Sequence, residues 1–296
     1  MIWALKLEYD GRPFVGWQRQ ANGRSVQAVL EEAGGRLCAG DIPPLHVAGR
    51  TDAGVHAAGQ VVDIDLPGRF SPHAVRSALN FHMKPYPVSV LAAAPVPWAG
   101  WNARFSAIGR VYRYAILNRP ARPALEHGFV WHVPRPMDEA AMHRAGRALL
   151  GWHDFTSFRA AACQATSPLR TLDRLDIERH DDHILVTVAA RSFLHHQVRN
   201  IVGTLKLVGD GSWPEARVAA ALAARDRAAA GPTAPAEGLT FMAVVYDPDP
   251  FDAALPDGGT RSSGAITAGS VACADRFPLE PGVSAISPTA KGDRDR

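Results

Sequence analysis

Strand-like and helix-like segments alternate along this chain in two comparable halves, and that order limits the fold more than any other feature. In the first half, Ile2 to Tyr9 alternates as a strand does, and an aromatic loop around Phe14 and Trp17 follows. Ser25 is placed to cap a helix running to about Cys38. Leu45 to Ala48 reads as the end of a strand, and Gln60 to Leu66 as another. Ser71 and Pro72 supply an N-cap and a first-turn proline for a helix to about His82. Ser89 to Ala94 is a short strand, and Arg110 to Leu117, rich in β-formers, a long one. The second half repeats the pattern. Asp138 caps a helix that puts Met142, Ala145 and Leu149 on one face. Leu172 to Arg179 and Ile184 to Ala190 form a hairpin turning at Asp181-Asp182. Helices follow from about His195 to Val208, ended by Gly209, and from Pro214 to Arg225, and Thr240 to Val245 is the last strand. This grammar predicts an α+β fold with a mostly antiparallel sheet.

The chain's 296 residues can bury one large core or two modest ones. No apolar run has the length of a membrane span, and Met1 to Asp10 is strand-like rather than a charged leader, so a cytoplasmic protein is expected, with no membrane partner. Cys38, Cys163 and Cys273 are odd in number and far apart, which fits reduced thiols and neither a zinc site nor a disulfide framework. From Asp247 onward Pro, Gly, Ser, Ala and Thr dominate, so residues 248–296 are expected to be a flexible tail. A net charge of +3 is weak support for nucleic-acid binding, although 28 of the 32 basic residues are Arg, which suits phosphate contacts and base stacking. Base composition of the genome explains most of that bias, so an RNA surface has to come from where the charges stand.

The chemistry concentrates in Val47-Ala48-Gly49-Arg50-Thr51-Asp52-Ala53-Gly54-Val55-His56-Ala57-Ala58-Gly59-Gln60-Val61. It sets an acid and an arginine on a glycine-flanked loop between two strands, where the backbone turns sharply and another molecule can come close. A carboxylate shielded from water needs a cation beside it. Arg50, two residues from Asp52, is one candidate. Arg199 is the other: it stands in the first turn or so of its helix, where the macrodipole disfavours a cation, and so points to a partner anion.

Read whole, this segment resembles the active-site signature of the tRNA pseudouridine synthase A family. Further blocks agree in order: Phe14-Val15-Gly16-Trp17-Gln18-Arg19-Gln20, Ala103-Arg104-Phe105-Ser106-Ala107, Arg110-Val111-Tyr112-Arg113-Tyr114 and Asp154-Phe155-Thr156-Ser157-Phe158. Then come Phe193-Leu194-His195-His196-Gln197-Val198-Arg199-Asn200-Ile201-Val202-Gly203 and Ala236-Glu237-Gly238-Leu239, so the resemblance covers roughly residues 1 to 247. It implies two similar subdomains, 1–106 and 107–247, related by a pseudo-twofold axis with a catalytic cleft between them. It also implies isomerisation of uridine to pseudouridine at positions 38 to 40 of the tRNA anticodon stem-loop, by a homodimer in which one tRNA contacts both subunits. Asp52 would be the catalytic aspartate and Arg199 its partner, while Arg50 would help extrude the nucleotide and take its place in the stack. Tyr112 would lie against the uracil and Leu239 would wall the base pocket; without the resemblance, a strand tyrosine packing its ring and a core leucine are the plainer readings.

No cofactor is expected. The reaction is an isomerisation, and no phosphate loop of P-loop or Rossmann type is present. No metal is expected either: His195-His196, His56 and His153 lack zincin-like spacing, and neighbouring histidines on a helix diverge by about a quarter-turn. A glycosidase would need two carboxylates flanking the bond, and one stands out here. The chain departs from the usual pattern at Asn102, at Gln197 where Met is frequent, at Pro85-Tyr86-Pro87, and at Thr240.

Overall fold

The computed structural model describes residues 1–252; most of the expected tail, and Cys273 with it, lies outside the described residues. Eleven strands and five α-helices follow in the order β1 (Ile2–Tyr9), α1 (Val26–Leu37), β2 (Leu45–Val47), β3 (His56–Asp65), α2 (Pro72–His82), β4 (Val88–Pro95), β5 (Gly109–Leu117), β6 (Trp131–His132), α3 (Glu139–Gly146), β7 (Gly151–Asp154), β8 (Leu169–Leu172), β9 (Arg174–His180), β10 (His183–Ala190), α4 (Gln197–Gly209), α5 (Ala216–Ala224) and β11 (Leu239–Val245). Nine strands form one sheet in the order β4-β1-β3-β11-β5-β10-β9, with β2 added to β3 and β6 to β5; β7 and β8 pair separately. The expected α+β fold is what the chain adopts. Among the described residues every strand pairing is antiparallel except β5 with β6 and β11 with β3.

That second exception is the seam between the two halves of the chain. Thr240 stands opposite His56 and Phe241 opposite Ala57, a short parallel register at the first residues of both strands. The loop before β3 and the loop before β11 therefore reach the sheet at the same end. Gly59 makes the seam possible, because a Cβ there would lie 2.2 Å from the Met242 carbonyl oxygen.

The predicted caps form. Ser25, Ser71 and Asp138 accept from the backbone N–H groups of Ala28, Ala74 and Ala141, each satisfying a donor that its helix leaves open. Helices α1 and α2 pack with each other and α2 on β4, while α3 packs on β9 and α4. Apolar residues of strands and helices from both halves, from Leu5 and Leu30 to Ile184 and Leu205, merge into one core. A smaller cluster, Ala4, Ala48, Val61, Trp101, Ala103, Ala107 and Tyr246, closes a separate part of the molecule. Its loop is tied down by the Tyr246 hydroxyl donating to the Ala103 carbonyl (2.7 Å) and the Ala103 N–H donating to the buried carboxylate of Asp63 (2.7 Å).

Three expectations need correction. The run from Leu172 to Arg179 is not one strand: Leu172 ends β8, which pairs with β7, and Arg174 begins β9. The hairpin of β9 and β10 does turn at Asp181-Asp182, with Asp181 at φ 50°. Helix α4 begins at Gln197 rather than His195, because His196 adopts φ 61° outside the helix, and Gly209 is its last residue rather than its stop. Helix α5 begins at Ala216, two residues beyond Pro214. The short strands β6 and β7 carry too few residues to show any periodicity, and they were not foreseen.

Candidate active site

The loop between β2 and β3 is held through several of its backbone carbonyls. The Gln60 side-chain amide donates to the Gly49 carbonyl (2.7 Å), and the Trp17 N–H donates to the Thr51 carbonyl (3.0 Å). The Thr51 hydroxyl bonds the Tyr9 hydroxyl at 2.8 Å, both residues being buried. Burial pushes the Tyr9 phenol up to about 12, so it stays protonated. Asp52 opens a turn closed by the Val55 N–H on its carbonyl (3.1 Å), and the turn's third residue is Gly54, at φ 79°. Gly16, at φ 109°, lies against this turn: a Cβ there would stand 2.8 Å from the Thr51 oxygen and 3.2 Å from the Asp52 carbonyl carbon.

Upstream, the buried guanidinium of Arg110 clamps the base of the loop. Its Nε and Nη2 donate to the Ala48 carbonyl at 2.9 and 2.8 Å, Nη2 also donates to the Arg104 carbonyl at 2.8 Å, and Nη1 donates to the Arg191 carbonyl. One side chain thus ties the Asp52 loop to Arg104 and to the residue just after β10. Burial lowers the guanidinium's pKa from its ordinary high value.

These anchors present the Asp52 carboxylate, 23% exposed, to the N-terminal end of α4. Arg199, 15% exposed, donates from Nη1 to Asp52 Oδ2 at 2.9 Å and from Nε to the Ala234 carbonyl at 2.8 Å. The Ala234 N–H returns a bond to the Arg199 carbonyl (3.1 Å), so the segment before β11 braces this arginine. A carboxylate at a helix N-terminus is also favoured by the helix dipole. Of the two candidate cations, Arg199 is the one that meets Asp52. Arg50 is exposed and forms no ion pair with it.

Tyr112 is buried on β5, with its ring edge-on to Phe193 (5.1 Å) and Phe241 (4.7 Å). Burial raises its phenol far above the ordinary range, and the nearby Asp52 carboxylate pushes it the same way. A Cβ on Gly49 would come within 3.6 Å of the Tyr112 hydroxyl, which puts that hydroxyl beside the Asp52 loop. Leu239 starts β11, opposite Tyr114, and is buried in the same core cluster as Tyr112 and Phe241.

The family comparison fits this arrangement. The model of the family described as "tRNA pseudouridine synthase" matches residues 6–106 and 145–247, which carry both Asp52 and Arg199. The chain belongs to that family. Proteins named tRNA pseudouridine synthase A resemble it along most of their length. The one from Acidiphilium cryptum is 68% identical over 84% of this chain and 98% of its own; that from Rhodospirillum centenum is 56% identical over 82% and 99%. That from Gluconobacter oxydans is 52% identical over 84% and 91%.

As a tRNA pseudouridine synthase, the chain is an isomerase of tRNA uridines, and among the described residues no helix is long and apolar enough to cross a membrane. Two of the departures from the family's usual pattern, Asn102 and Gln197, have local explanations. Asn102 Oδ1 accepts from the N–H groups of Arg104 (2.9 Å) and Phe105 (3.2 Å), turning the chain as an aspartate does. Gln197 Oε1 accepts from the Leu194 N–H (2.8 Å) and stiffens the loop that enters α4. The histidines correct an expectation. His195 and His196 do not diverge as helical neighbours, because His196 is left-handed and precedes the helix. Their rings lie 4.0 Å apart, and each Nε2 comes within 3.3 Å of an Asp52 oxygen. Sequence spacing alone hides this, since it assumes a helix there. Burial lowers the pKa of His196, with Asp52 pulling the other way and His195 and Arg199 adding to the fall. His56 is the distant one: it is buried at the seam, accepts from the Gly11 N–H on Nδ1, and reaches the Gly128 carbonyl with Nε2.

Proposed function

We propose that the tRNA uridines isomerised by this enzyme are those at positions 38 to 40 of the anticodon stem-loop, and that Asp52 is its catalytic carboxylate. In the reaction the N1–C1′ glycosidic bond breaks and a C5–C1′ bond forms with the same uracil. The proton leaves C5 and one is gained at N1, so no oxidant, reductant or energy source is consumed. The observation that carries the reading is the half-buried Asp52 carboxylate held at 2.9 Å by Arg199, on a loop anchored through the carbonyls of Ala48, Gly49 and Thr51. The part of the carboxylate that stays exposed meets the reacting nucleotide, in a preorganised setting.

Arg50 acts on the RNA rather than on Asp52. Its exposed side chain enters the stack as the uridine leaves it, which the chemistry requires because the target atoms are covered in a helix. Tyr112 lies along the uracil as a protonated phenol, and Leu239 closes the pocket wall. The positions themselves are those implied by the resemblance to the synthase A family. On the same grounds residues 1–106 and 107–247 act as two subdomains, and the enzyme works as a cytoplasmic homodimer whose combined surface carries one tRNA.

The test uses unmodified tRNA transcripts with uridine at 38, 39 and 40, incubated without cofactor or metal and mapped at single-nucleotide resolution. Wild type is expected to give pseudouridine there and Asp52→Asn none. A folded, tRNA-binding wild type without product at those positions would redirect the search to uridines elsewhere in tRNA.

A further inference from the structure

We propose that Asp52, His195 and His196 form a three-ligand site for a divalent transition ion of the Zn²⁺ class, and that an ion bound there inhibits the enzyme by engaging its carboxylate. Binding follows from the cluster's geometry; inhibition rests on the reading of Asp52 given above.

The donor atoms are already close to chelating distance. His195 Nε2 is 3.3 Å from Asp52 Oδ1, His196 Nε2 is 3.3 Å from Oδ2, and all three ligand atoms lie within 4.8 Å of one another. Zinc bonds of about 2.0–2.2 Å in a tetrahedron separate neighbouring donors by about 3.3–3.5 Å, so a single ion needs only a small approach of the two imidazoles. The left-handed backbone of His196 (φ 61°) is what brings its ring beside that of His195 instead of round the helix. Two imidazoles and one carboxylate suit Zn²⁺ or Co²⁺ and do not suit Mg²⁺, which takes oxygen ligands.

Oδ1 can bind the ion while Oδ2 keeps its bond from Arg199, an outer partner that orients the carboxylate. The same guanidinium places a positive charge beside the ion and weakens the site. His195, 42% exposed, leaves a way in from solvent. Three protein ligands leave one position open, which a water fills. The bound ion then covers the oxygen that faces the nucleotide.

The full-length protein, stripped with chelator and dialysed, is titrated with ZnCl₂ by calorimetry and with CoCl₂ by visible absorption. One ion per chain is expected, with a tetrahedral Co²⁺ spectrum that lacks thiolate-to-metal bands. His195→Ala and His196→Ala should each weaken binding by about ten- to a hundredfold, at least what loss of an outer-shell partner costs at metal sites, and the double variant should remove it. MgCl₂ should not compete. Pseudouridine formation by wild type should fall along the Zn²⁺ binding curve and recover with chelator.

The site is refuted by no Zn²⁺ binding up to the order of 100 µM, by thiolate bands in the Co²⁺ spectrum, or by unchanged binding in a folded double variant. The Co²⁺ spectrum of wild type decides the ligand type even where a histidine variant fails to fold. Zn²⁺ bound at the site with undiminished turnover overturns the inhibition. A chelated wild type that makes no pseudouridine defeats the reading of the reaction instead, and leaves the binding isotherm standing.

Discussion

Arg199 and Asp52 are 147 residues apart in the chain and joined by a 2.9 Å hydrogen bond in the fold. The same guanidinium is held from behind by the Ala234 carbonyl, so its direction as well as its charge is set. Arg199→Ala is expected to lower the single-turnover rate of pseudouridine formation by about a hundred- to a thousandfold, the size of effect seen when a preorganised donor is lost. Arg199→Lys restores a charge but not the fork that reaches both Asp52 Oδ2 and the Ala234 carbonyl, and should recover only part of the rate. If Arg199→Ala changes tRNA affinity and leaves the bound-state rate intact, the pair serves binding and not the reaction.

Gly16 is the second point of leverage. With φ 109° and the Thr51 oxygen 2.8 Å from where a Cβ would go, Gly16→Ala has to move the Asp52 turn. A stability loss of about 1–3 kcal/mol is expected in urea denaturation, with a larger proportional loss of turnover. Wild-type turnover in a folded Gly16→Ala protein would show that the turn tolerates displacement.

Arg110 donates to three backbone carbonyls, and Arg110→Met leaves all of them without that donor in a buried place. A loss of about 3 kcal/mol is expected, since each stranded group costs about 1–3 kcal/mol and water reaches some of them. The denaturant midpoint measures it. A change within about 0.5 kcal/mol, as at ordinary surface positions, would refute the clamp.

His56 makes the fold sensitive to acid. Its burial lowers the folded-state pKa below the ordinary 6.5, against the pull of Asp10. As pH falls, the unfolded chain takes up this proton first. The stabilisation is therefore complete above pH about 6.5 and is lost as pH falls through the lower, folded value. The melting temperature should drop between about pH 7 and pH 5 more steeply in wild type than in His56→Gln. Parallel profiles would place the acid sensitivity elsewhere.

A homodimer in solution is expected from the proposed mode of tRNA binding. Light scattering or sedimentation at micromolar concentration should give twice the chain mass, and a species that stays monomeric there would remove the shared tRNA surface.

Much of this molecule is legible in short windows of sequence. Caps such as Ser25 and Asp138, the alternation of Arg110 to Leu117 and the turn at Asp181-Asp182 are set by neighbours a few residues away, and they form as the pattern predicts. Asp52 and Arg199 also stood out by type and placement, one on a glycine-flanked loop and the other at a helix end that disfavours it. Their pairing is a different matter. It depends on the parallel seam of β3 and β11, which brings residues near 50 and residues near 235 to the same end of the sheet. Nothing local encodes that meeting. The left-handed turn at His196 likewise removes two histidines from the helix their spacing suggests and sets them around Asp52. Composition, periodicity and caps therefore determined the elements, and the signature determined the family. The resemblance also implied Arg199 as the partner of Asp52. Only the tertiary structure decided how the two meet and that His195 and His196 surround the carboxylate, because those contacts depend on long-range strand order and on one backbone conformation that periodicity does not register.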